Sequence, residues 1–435
     1  MKRFALCALI ALIISDVAAQ KADSTYVKKG FAFGALPAVA YDDDLGFQYG
    51  VLTNLYWYGD GSNYPRYNHS LYLECSRYVA GTMLLRAYFD SHTLLPQLRT
   101  TADFTWFNDL TLDFYGFNGR KSVYNYDYTD DDHDDYRTRV FYRHARRMAR
   151  LMLNVRHNYD DKPLFWQAGA TIFNMKIGSV DLSKLRDKLP EVETLYDKYV
   201  RWGLIDAKEA NGGVDTYLRG GFGVDTRDNE AFPTSGVWTE ALIAIAPGIL
   251  SNDNNNWGKL TIYHRQYFDL YNKDLVFAYR VGWQQLLWGE QPFYLLPHWN
   301  TSVLTSATSQ GIGGAKTMRG IKRNRIVGDG SIMGNAELRY IFTRFMLFGQ
   351  QFSVGTNLFA DFGMVTQEHR VDTQNVPLDE YYDYFSDDSE NVHTSAGIGL
   401  KVSLNANFVV SADWGKALNR NDGESGVYVQ MNYLF

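Results

Sequence analysis

The chain has 435 residues, of which 46% are hydrophobic and 21% charged, and its formal net charge is −6. An acidic chain lacks the basic footprint of nucleic-acid binding, so we expect no nucleic-acid partner. Beyond the N-terminus no run of about 18 apolar residues occurs, which argues against membrane-spanning helices and leaves a β-barrel as a possible membrane fold.

The N-terminal region has the order of an export signal. A basic start precedes an apolar run from Phe4 to Ile14, and small residues follow up to Ala19. This order predicts a cleaved signal peptide over residues 1–19. The apolar run has about half the length that spans a bilayer, which disfavours a single anchoring helix. We expect residues 20–29 to form a short periplasmic segment, with no room for a periplasmic domain before the first strand.

Two cysteines occur in the chain. Cys7 lies in the predicted signal, so Cys75 is alone in the mature protein. An intrachain disulfide and a cysteine metal cluster are therefore excluded, and we expect Cys75 to be a small apolar filler.

From Gly30 onward the sequence alternates between apolar and polar residues in segments that turn residues separate. We predict sixteen strands, near Gly30–Tyr41, Leu45–Tyr58, Arg66–Val79, Thr82–His92, Leu98–Phe107, Val140–Arg156, Leu164–Ile177, Val214–Asp225, Gly236–Ile249, Lys259–Phe268, Leu275–Trp288, Ser331–Arg344, Gln351–Val365, His393–Leu404, Phe408–Trp414 and Gly426–Phe435. Short turns alternate with long connections, which is typical of outer-membrane barrels.

A soluble β-sandwich would also show alternating strands. The predicted export signal and the 31 Tyr, 26 Phe and 10 Trp residues favour the barrel. We therefore predict an all-β fold, a 16-stranded antiparallel transmembrane β-barrel over residues 30–435, in the outer membrane of a diderm bacterium. In the last strand, Tyr433 and Phe435 are in phase with the outward apolar residues, and we predict that they form a C-terminal insertion signal.

Two kinds of outer loop stand out. Residues 178–213 carry apolar residues at helical spacing from Leu182 to Tyr199, interrupted or kinked by Pro190. We interpret this loop as a lid over the barrel mouth, with a partner-binding helix as the alternative. The acidic runs at 130–135 and 379–390 lack a calcium-loop pattern and are interpreted as solvated loops, with weak divalent-cation binding as the alternative.

The loop from Gly311 to Gly330 carries Arg319 and leads into a strand with one apolar and one polar face. Strand phase places Glu337 on the polar face of that strand and Asp361 on the polar face of the next. If the loop folds back over that side, Arg319 reaches both carboxylates in a charge-assisted cluster. The cluster is then either an ordinary ion pair of the lumen or a latch that pins a long outer loop inside it.

Other chemistry is sparse. The nine His residues form no GxSxG or HExxH constellation, and the glycines before Arg319 do not open a helix as a nucleotide loop would. We therefore expect no enzyme activity, no cofactor and no metal, with an outer-membrane lipase as the alternative.

The segment Gly313–Ile321, GGAKTMRGI, resembles the sixth-loop signature of the BamA-like outer-membrane assembly superfamily, also called the bacterial surface antigen family. Its double glycine is Gly313 and Gly314, and Arg319 and Gly320 match the signature, while Met318 and Ile321 replace the usual flanking residues. The resemblance implies that Glu337 and Asp361 hold Arg319, and that the sixth outer loop folds into the lumen.

A second motif also resembles this family. Asp225, Arg227 and Asp228, followed by Pro233 and Gly236, are similar to the periplasmic turn that enters the ninth strand. Physically, this is a turn with a rigid proline, a flexible glycine and an arginine between carboxylates. The resemblance covers residues 30–435, and the POTRA domains of BamA-like proteins are missing from it.

The resemblance also implies a function. In this family the first and last strands meet in a weak seam, where client strands are inserted, or chains pass through the lumen. We expect a barrel that assists insertion or translocation of outer-membrane or surface proteins, surrounded by outer-membrane lipids and served by a separate periplasmic or lipoprotein partner. The alternatives are a passive or selective transport pore for solute or lipid and a structural scaffold for surface lipoproteins.

Overall fold

The fold is one closed barrel of sixteen antiparallel strands, each bonded to its sequence neighbours, with the first strand against the last. The structure, a computed structural model, describes residues 27–435 except 44, 65, 186–188, 231, 252–254, 306–310, 348–349, 405–407 and 432. The predicted all-β, 16-stranded barrel is confirmed. The predicted signal peptide at 1–19 and residues 20–26 of the predicted N-terminal segment lie outside the described residues.

The strands are β1 (Gly30–Asp42), β2 (Gly46–Gly59), β3 (His69–Tyr78), β4 (Met83–Leu95), β5 (Leu98–Asp113), β6 (Arg143–Asn158), β7 (Leu164–Gly178), β8 (Val214–Asp225), β9 (Gly236–Ala246), β10 (Trp257–Tyr271), β11 (Leu275–Gly289), β12 (Gly330–Leu347), β13 (Gln350–Gln367), β14 (His393–Leu404), β15 (Phe408–Ala417) and β16 (Ser425–Met431). The α-helices are α1 (Leu195–Arg201) and α2 (Tyr381–Tyr384). Short 3-10 turns lie at Gly119–Lys121, Tyr126–Thr129, Leu182–Lys184, Gly248–Leu250, Phe293–Leu295, Thr373–Asn375 and Arg420–Asp422. Within the described part of the chain, no helix is long and apolar enough to cross a membrane.

Alternation along each strand sorts the side chains between the lumen and the outer surface. In β12, Glu337 is 1% exposed whereas its neighbour Leu338 is 40% exposed. In β13, Asp361 is 2% exposed and Leu358 is 55% exposed. Polar residues therefore face inward and apolar residues outward, as the period of two requires.

Strand β5 is six residues longer than the alternation predicts. The sequence indicates an end at Phe107, but the strand continues to Asp113. The additional residues of the strand include Asp109, whose carboxylate lies 2.5 Å from the guanidinium of Arg146 on β6. In this part of β5 a charged residue forms a buried ion pair inside the lumen. The regular alternation of apolar and polar residues that indicates a strand is therefore less clear, and the sequence resembles that of a loop.

The two rims of the barrel differ. One rim, called the turn rim, holds the start of β1, the C-terminal residue and short connections such as 96–97; the other, called the loop rim, holds the long connections 114–142, 179–213, 290–329 and 368–392 together with short ones such as 79–82. At the turn rim, Asn272 and Lys273 both have positive φ between β10 and β11. This is the geometry of a type I′ turn, which matches the twist of paired strands.

The helix in the 179–213 connection is shorter than its apolar spacing indicates. Residues after Pro190 stay extended until Thr194, whose side chain and that of Asp197 form a reciprocal capping box at the start of α1. Because proline cannot continue a helix and the box defines a start, the α-helix in the described part of this connection is α1, while Leu182–Lys184 form a 3-10 turn.

A buried aromatic cluster, called the aromatic cap, lies at the loop rim. It draws side chains from all four long connections, including Phe141, Tyr199, Phe293 and Tyr384, each at most 4% exposed. The ring of Phe114 lies edge-on to Tyr199 at a centroid distance of 5.2 Å. Each such ring contributes about 1.5–3 kcal/mol through burial, so the cap holds the long connections together.

The seam between β1 and β16 is short. The two strands pair only at Tyr41–Val429 and Asp42–Tyr428, whereas β1 pairs with β2 along all 13 of its residues. Residues 30–40 of β1 are therefore an edge within the described structure. Pro37 lies in this edge, a position that tolerates its missing N–H group.

The C-terminal residues contradict the predicted strand phase. Tyr433 and Phe435 were expected to face outward with Val427, but β16 ends at Met431 and the chain then turns inward. Phe435 is 7% exposed, and its backbone oxygen accepts a 2.9 Å hydrogen bond from the inward-facing Arg339. The Arg339 guanidinium also lies 4.4 Å from the centre of the Tyr433 ring. These contacts with a lumen cation outweigh continuation of the alternating pattern.

Candidate functional site

The centre of the site is Arg319, in the long connection between β11 and β12. Its side chain is fully buried and lies against residues that β12 and β13 turn into the lumen. The register pairs Asn335 of β12 with Asp361 of β13, which places Asp361 beside Glu337 on the same inner face. Two adjacent strands therefore present two carboxylates at the point that Arg319 occupies.

The contacts of Arg319 are short and directional. Its Nη1 donates to Glu337 Oε1 at 2.7 Å, while Nε and Nη2 donate to the two oxygens of Asp361 at 3.0 and 2.9 Å. The backbone N–H of Arg319 also donates to Asp361 Oδ2 at 3.0 Å. The guanidinium carbon lies 3.4 Å from the centre of the Phe359 ring. The planar fork of arginine is thus matched on its edges and on one face.

A second layer of charge surrounds this pair. Asp413 of β15 lies 3.7 Å from Arg319 Nη1 and accepts hydrogen bonds from Lys401 Nζ at 2.7 and 2.8 Å. Arg339 Nε donates to Glu337 Oε2 at 2.8 Å. Three cations and three carboxylates form a neutral network, called the Arg319 cluster: Arg319, Arg339, Lys401, Glu337, Asp361 and Asp413.

Electrostatics keep Arg319 charged. Burial alone would lower its pKa, but Asp361 and Glu337 outweigh burial and raise the pKa above its ordinary value. Removing one partner from such a buried pair typically costs about 3–5 kcal/mol, because the other charge is left without compensation. The Arg319 cluster can therefore hold a backbone segment in place.

The glycines beside Arg319 shape the tip of the loop. Gly313 has φ +121° and Gly320 has φ +87°, in the region that side chains disfavour. The N–H of Gly320 donates to the hydroxyl of Tyr428 on β16 at 3.0 Å. Gly314 N donates to Ile321 O at 2.8 Å, which closes the tip into a compact turn.

Further contacts fix the remainder of this connection inside the barrel. Arg323 Nε donates to Asp113 Oδ2 at 3.0 Å, and Arg325 donates to the backbone oxygens of Gly119 and Ser122, each at 2.9 Å. Ser302, near the start of the connection, donates to Glu240 of β9. The connection thus touches inward-facing residues on both sides of the lumen.

In the turn between β8 and β9, the predicted arrangement of an arginine between two carboxylates is formed only in part. Arg227 forms two hydrogen bonds with Asp225, at 2.9 and 3.0 Å. Asp228 instead accepts from the backbone and hydroxyl of Thr234, at 2.8 and 2.6 Å. Burial would raise the pKa of Asp228, but the hydrogen bonds from Thr234 and Ser235 outweigh it and lower the pKa to about 2.

Pro233 and Gly236 complete this turn. Pro233 is buried, and Gly236 has φ +97° beside the backbone of Thr226, where an added Cβ would lie 2.2 Å from the carbonyl oxygen. The pair therefore sets the course of the chain into β9.

Sequence reasoning missed several members of the site. Asp413, Lys401 and Tyr428 were not selected, although alternation in their strands places each of them on the inner face. The same phase argument that selected Asp361 could have found Asp413. The contact with Tyr428 depends on the curvature of the closed barrel, which no pattern in the sequence records. Among the described residues, no group of three or more His, Cys, Asp or Glu residues is arranged to hold a metal ion.

The sequence is similar to a known family, and the fold is similar to known structures. A family model described as Omp85 superfamily domain matches residues 80–435. No curated protein matches the sequence. The barrel is similar to the structure of BamA from Haemophilus ducreyi lacking POTRA domains 1–3, with a TM-score of 0.57 and 16% sequence identity. That alignment covers 93% of this chain and 70% of that chain.

CdiB from Escherichia coli is also similar, with a TM-score of 0.55 and 11% identity. Here the alignment covers 94% of this chain and 63% of the CdiB chain, so this chain spans less than two thirds of that protein. At these identities the likeness to both structures concerns the fold.

The first prediction concerns Arg319→Lys. Lysine keeps the charge but cannot form the fork to Asp361 and Glu337, so we expect the free energy of unfolding to fall by about 2 kcal/mol. The measurement is urea unfolding in detergent, followed by heat-modifiable gel mobility. Arg420→Lys is the matched control, because the side chain of Arg420 is 74% exposed. Equal urea midpoints for the two variants would contradict a stabilising role of the Arg319 cluster.

The second prediction concerns Gly320→Ala. The positive φ of Gly320 is unfavourable for alanine, and the added Cβ would lie 2.7 Å from backbone atoms of Gly415 and Lys416. We expect a loss of about 1–3 kcal/mol in the same assay. Gly34→Ala is the control, since Gly34 has open space around a Cβ. If Gly320→Ala unfolds like Gly34→Ala, the close approach of the loop tip to β15 is wrong.

Proposed function

The chain belongs to the Omp85 superfamily, and we propose that its barrel assists the insertion of other proteins into the outer membrane, or their translocation, at the β1–β16 seam. Membership of this family makes the chain an outer-membrane β-barrel. We assign the turn rim, which holds the start of β1 and the C-terminal residue, to the periplasm and the loop rim to the cell exterior, because long connections face the exterior in such barrels.

The short seam is the observation that carries this proposal. Its two residue pairs correspond to about two ladder hydrogen bonds, whose net contribution is on the order of 2 kcal/mol. The pairing of β1 with β2 extends over 13 residues, so separation at the seam costs far less than separation elsewhere. Thermal fluctuation can therefore open this junction without an external energy source.

The unpaired part of β1, residues 30–40, can bind an incoming strand when the seam opens. Outward residues on this strand include Phe31 and Phe33, which are 55% and 72% exposed. In a bilayer, backbone groups without a partner are costly, because no water is present to satisfy them. An incoming strand that pairs with residues 30–40 would satisfy these groups, which is strand addition at a sheet edge.

The Arg319 cluster supports this function as a latch. It holds the loop tip against β12, β13 and β15, and Gly320 holds Tyr428 of β16. Tyr428 is also a partner residue in the seam. We infer that the latch keeps the last strand in place while the first strand exchanges partners, and that no catalytic residue is required.

We further infer a separate periplasmic protein or lipoprotein that delivers clients to the barrel. The unpaired edge of β1 begins at the turn rim, where a client delivered from the periplasm would reach it. The clients are outer-membrane or surface proteins, whose strands match the chemistry of the β1 edge.

The third prediction tests the seam by locking it. A disulfide between Tyr41→Cys and Val429→Cys, in a Cys75→Ser background, would cross-link paired residues of β1 and β16. The variant is expressed in cells depleted of the native protein. While its disulfide is oxidised, we expect the amounts of other outer-membrane barrels or surface lipoproteins to stay low. Reduction should restore them. Quantitative proteomics of outer-membrane fractions measures both states.

The control for the lock is a cysteine pair that leaves the seam free. Val39→Cys with Tyr49→Cys joins β1 to β2, which are already paired there. We expect this variant to behave like wild type under oxidation. Normal levels of every outer-membrane protein in cells with a fully cross-linked seam would refute insertion through this junction.

The fourth prediction concerns the partner. Chemical cross-linking in native cells, followed by purification in mild detergent, should yield a periplasmic protein or lipoprotein in stoichiometric amount. Recovery of the barrel alone after efficient cross-linking would refute the partner while leaving the role of the seam to the locking experiment.

A further inference from the structure

A second polar site lies in the lumen, away from the Arg319 cluster and near the turn rim. It is a cavity of about 330 Å³ between the inner faces of β4 to β10 and the start of the β11–β12 connection. Ser302 and Thr305 of that connection form its boundary on the side of the loop rim, while Arg227 and Glu230 belong to the turn between β8 and β9. The cavity therefore faces the turn rim.

Arginine dominates the lining of this cavity. The lining arginines are Arg86, Arg99, Arg156, Arg219, Arg227 and Arg265, and the lining carboxylates are Asp103 and Glu230. Directly behind them, Asp90 pairs with Arg99, Asp225 pairs with Arg227, and the buried Arg150 and Glu240 contact lining residues. With Glu74, which faces Arg86 from the neighbouring strand, seven arginines face six carboxylates, so positive charge is in excess.

The excess is concentrated on three side chains. Arg219 has neutral acceptors, the amide oxygen of Asn154 and the carbonyl of Thr301. Arg156 donates to the Asn158 side chain, and its nearest carboxylate oxygen is 3.9 Å away. Both guanidinium groups therefore retain capacity for an anion.

Arg265 is the clearest case. It is 9% exposed, and its Nε is buried without a hydrogen-bond acceptor within the described residues. Its neighbours are rings, with the centre of Trp238 at 5.3 Å and that of Tyr263 at 6.0 Å. The indole N–H of Trp238 is likewise buried without an acceptor in the described structure. Buried donors in such a state are unfavourable unless a ligand supplies the acceptor.

We propose that this cavity binds a phosphate group, with Arg265 as its central contact and Arg156, Arg219 and Trp238 around it. A phosphate ester carries up to two negative charges near neutral pH, which suits a site whose charge balance is positive. Its oxygens match the donor geometry of guanidinium groups. The volume also exceeds that of the anion itself, so a small group esterified to the phosphate fits.

The segment 306–310, which follows Thr305, lies outside the described residues. Its sequence, SATSQ, carries no charge and so leaves the excess of positive charge unchanged. The site is independent of the insertion role at the seam, because none of its residues belongs to β1 or β16.

The fifth prediction tests phosphate binding on the purified full-length barrel in a sugar-based detergent. Thermal unfolding and titration calorimetry compare sodium phosphate with sodium chloride at equal ionic strength and pH. We expect phosphate to bind saturably to wild type and to raise the unfolding temperature as it does so. Dihexanoyl phosphatidic acid and dihexanoylglycerol form a second pair of probes. If phosphatidic acid binds and dihexanoylglycerol does not, the source of the phosphate is a lipid headgroup. If inorganic phosphate binds more tightly than phosphatidic acid, the source is the free anion.

Arg265→Gln separates a binding role from a structural one. The variant should bind phosphate more weakly by a factor on the order of ten or more. Without phosphate it should unfold at a higher temperature than wild type, because an uncompensated buried charge has been removed. Arg420→Gln, which makes the same charge change at an exposed position of the loop rim, should match wild type in both measurements.

Two results would overturn the proposal. One is the absence of saturable binding of both phosphate and phosphatidic acid to wild type, and the other is equal affinity of Arg265→Gln and wild type. In the second case, a lower unfolding temperature of Arg265→Gln would assign Arg265 a packing role against Trp238.

Discussion

A buried arginine inside a membrane barrel constrains everything around it. Arg319 cannot stay charged in the lumen unless carboxylates meet it, and these come from β12, β13 and β15. Because side chains alternate along a strand, a shift of one residue in β12 would turn Glu337 towards lipid and leave the arginine exposed to an apolar wall. The ion cluster therefore specifies strand register as well as loop position.

The same cluster creates an asymmetry between the two strands of the seam. The last strand is tied to the loop tip through Tyr428, and the chain end is tied to Arg339 through Phe435. The first strand is bound mainly to β2, along its whole length. Two strands that meet at two residue pairs thus differ in how firmly the body of the barrel holds them.

Alternation of polar and apolar residues was sufficient to predict sixteen strands and to place Glu337 and Asp361 on one inner face. It failed where lumen charge replaces the apolar signal, as at Asp109 in β5, and where a tertiary contact redirects the chain, as at Phe435. Asp413 was within reach of the same reasoning. The arginines around Arg265 come from strands far apart in sequence, so only closure of the barrel reveals that their charges are not balanced.

The aromatic cap has a consequence for the cell envelope. Exposing five of its rings to water would cost on the order of 10 kcal/mol, so the long connections do not part spontaneously to any useful extent. A weak lateral junction in an outer-membrane protein would otherwise endanger the permeability barrier that excludes detergents and toxic solutes. On the proposed function, a folded apolar core at the loop rim would keep the barrel closed to solutes while its seam opens sideways into lipid.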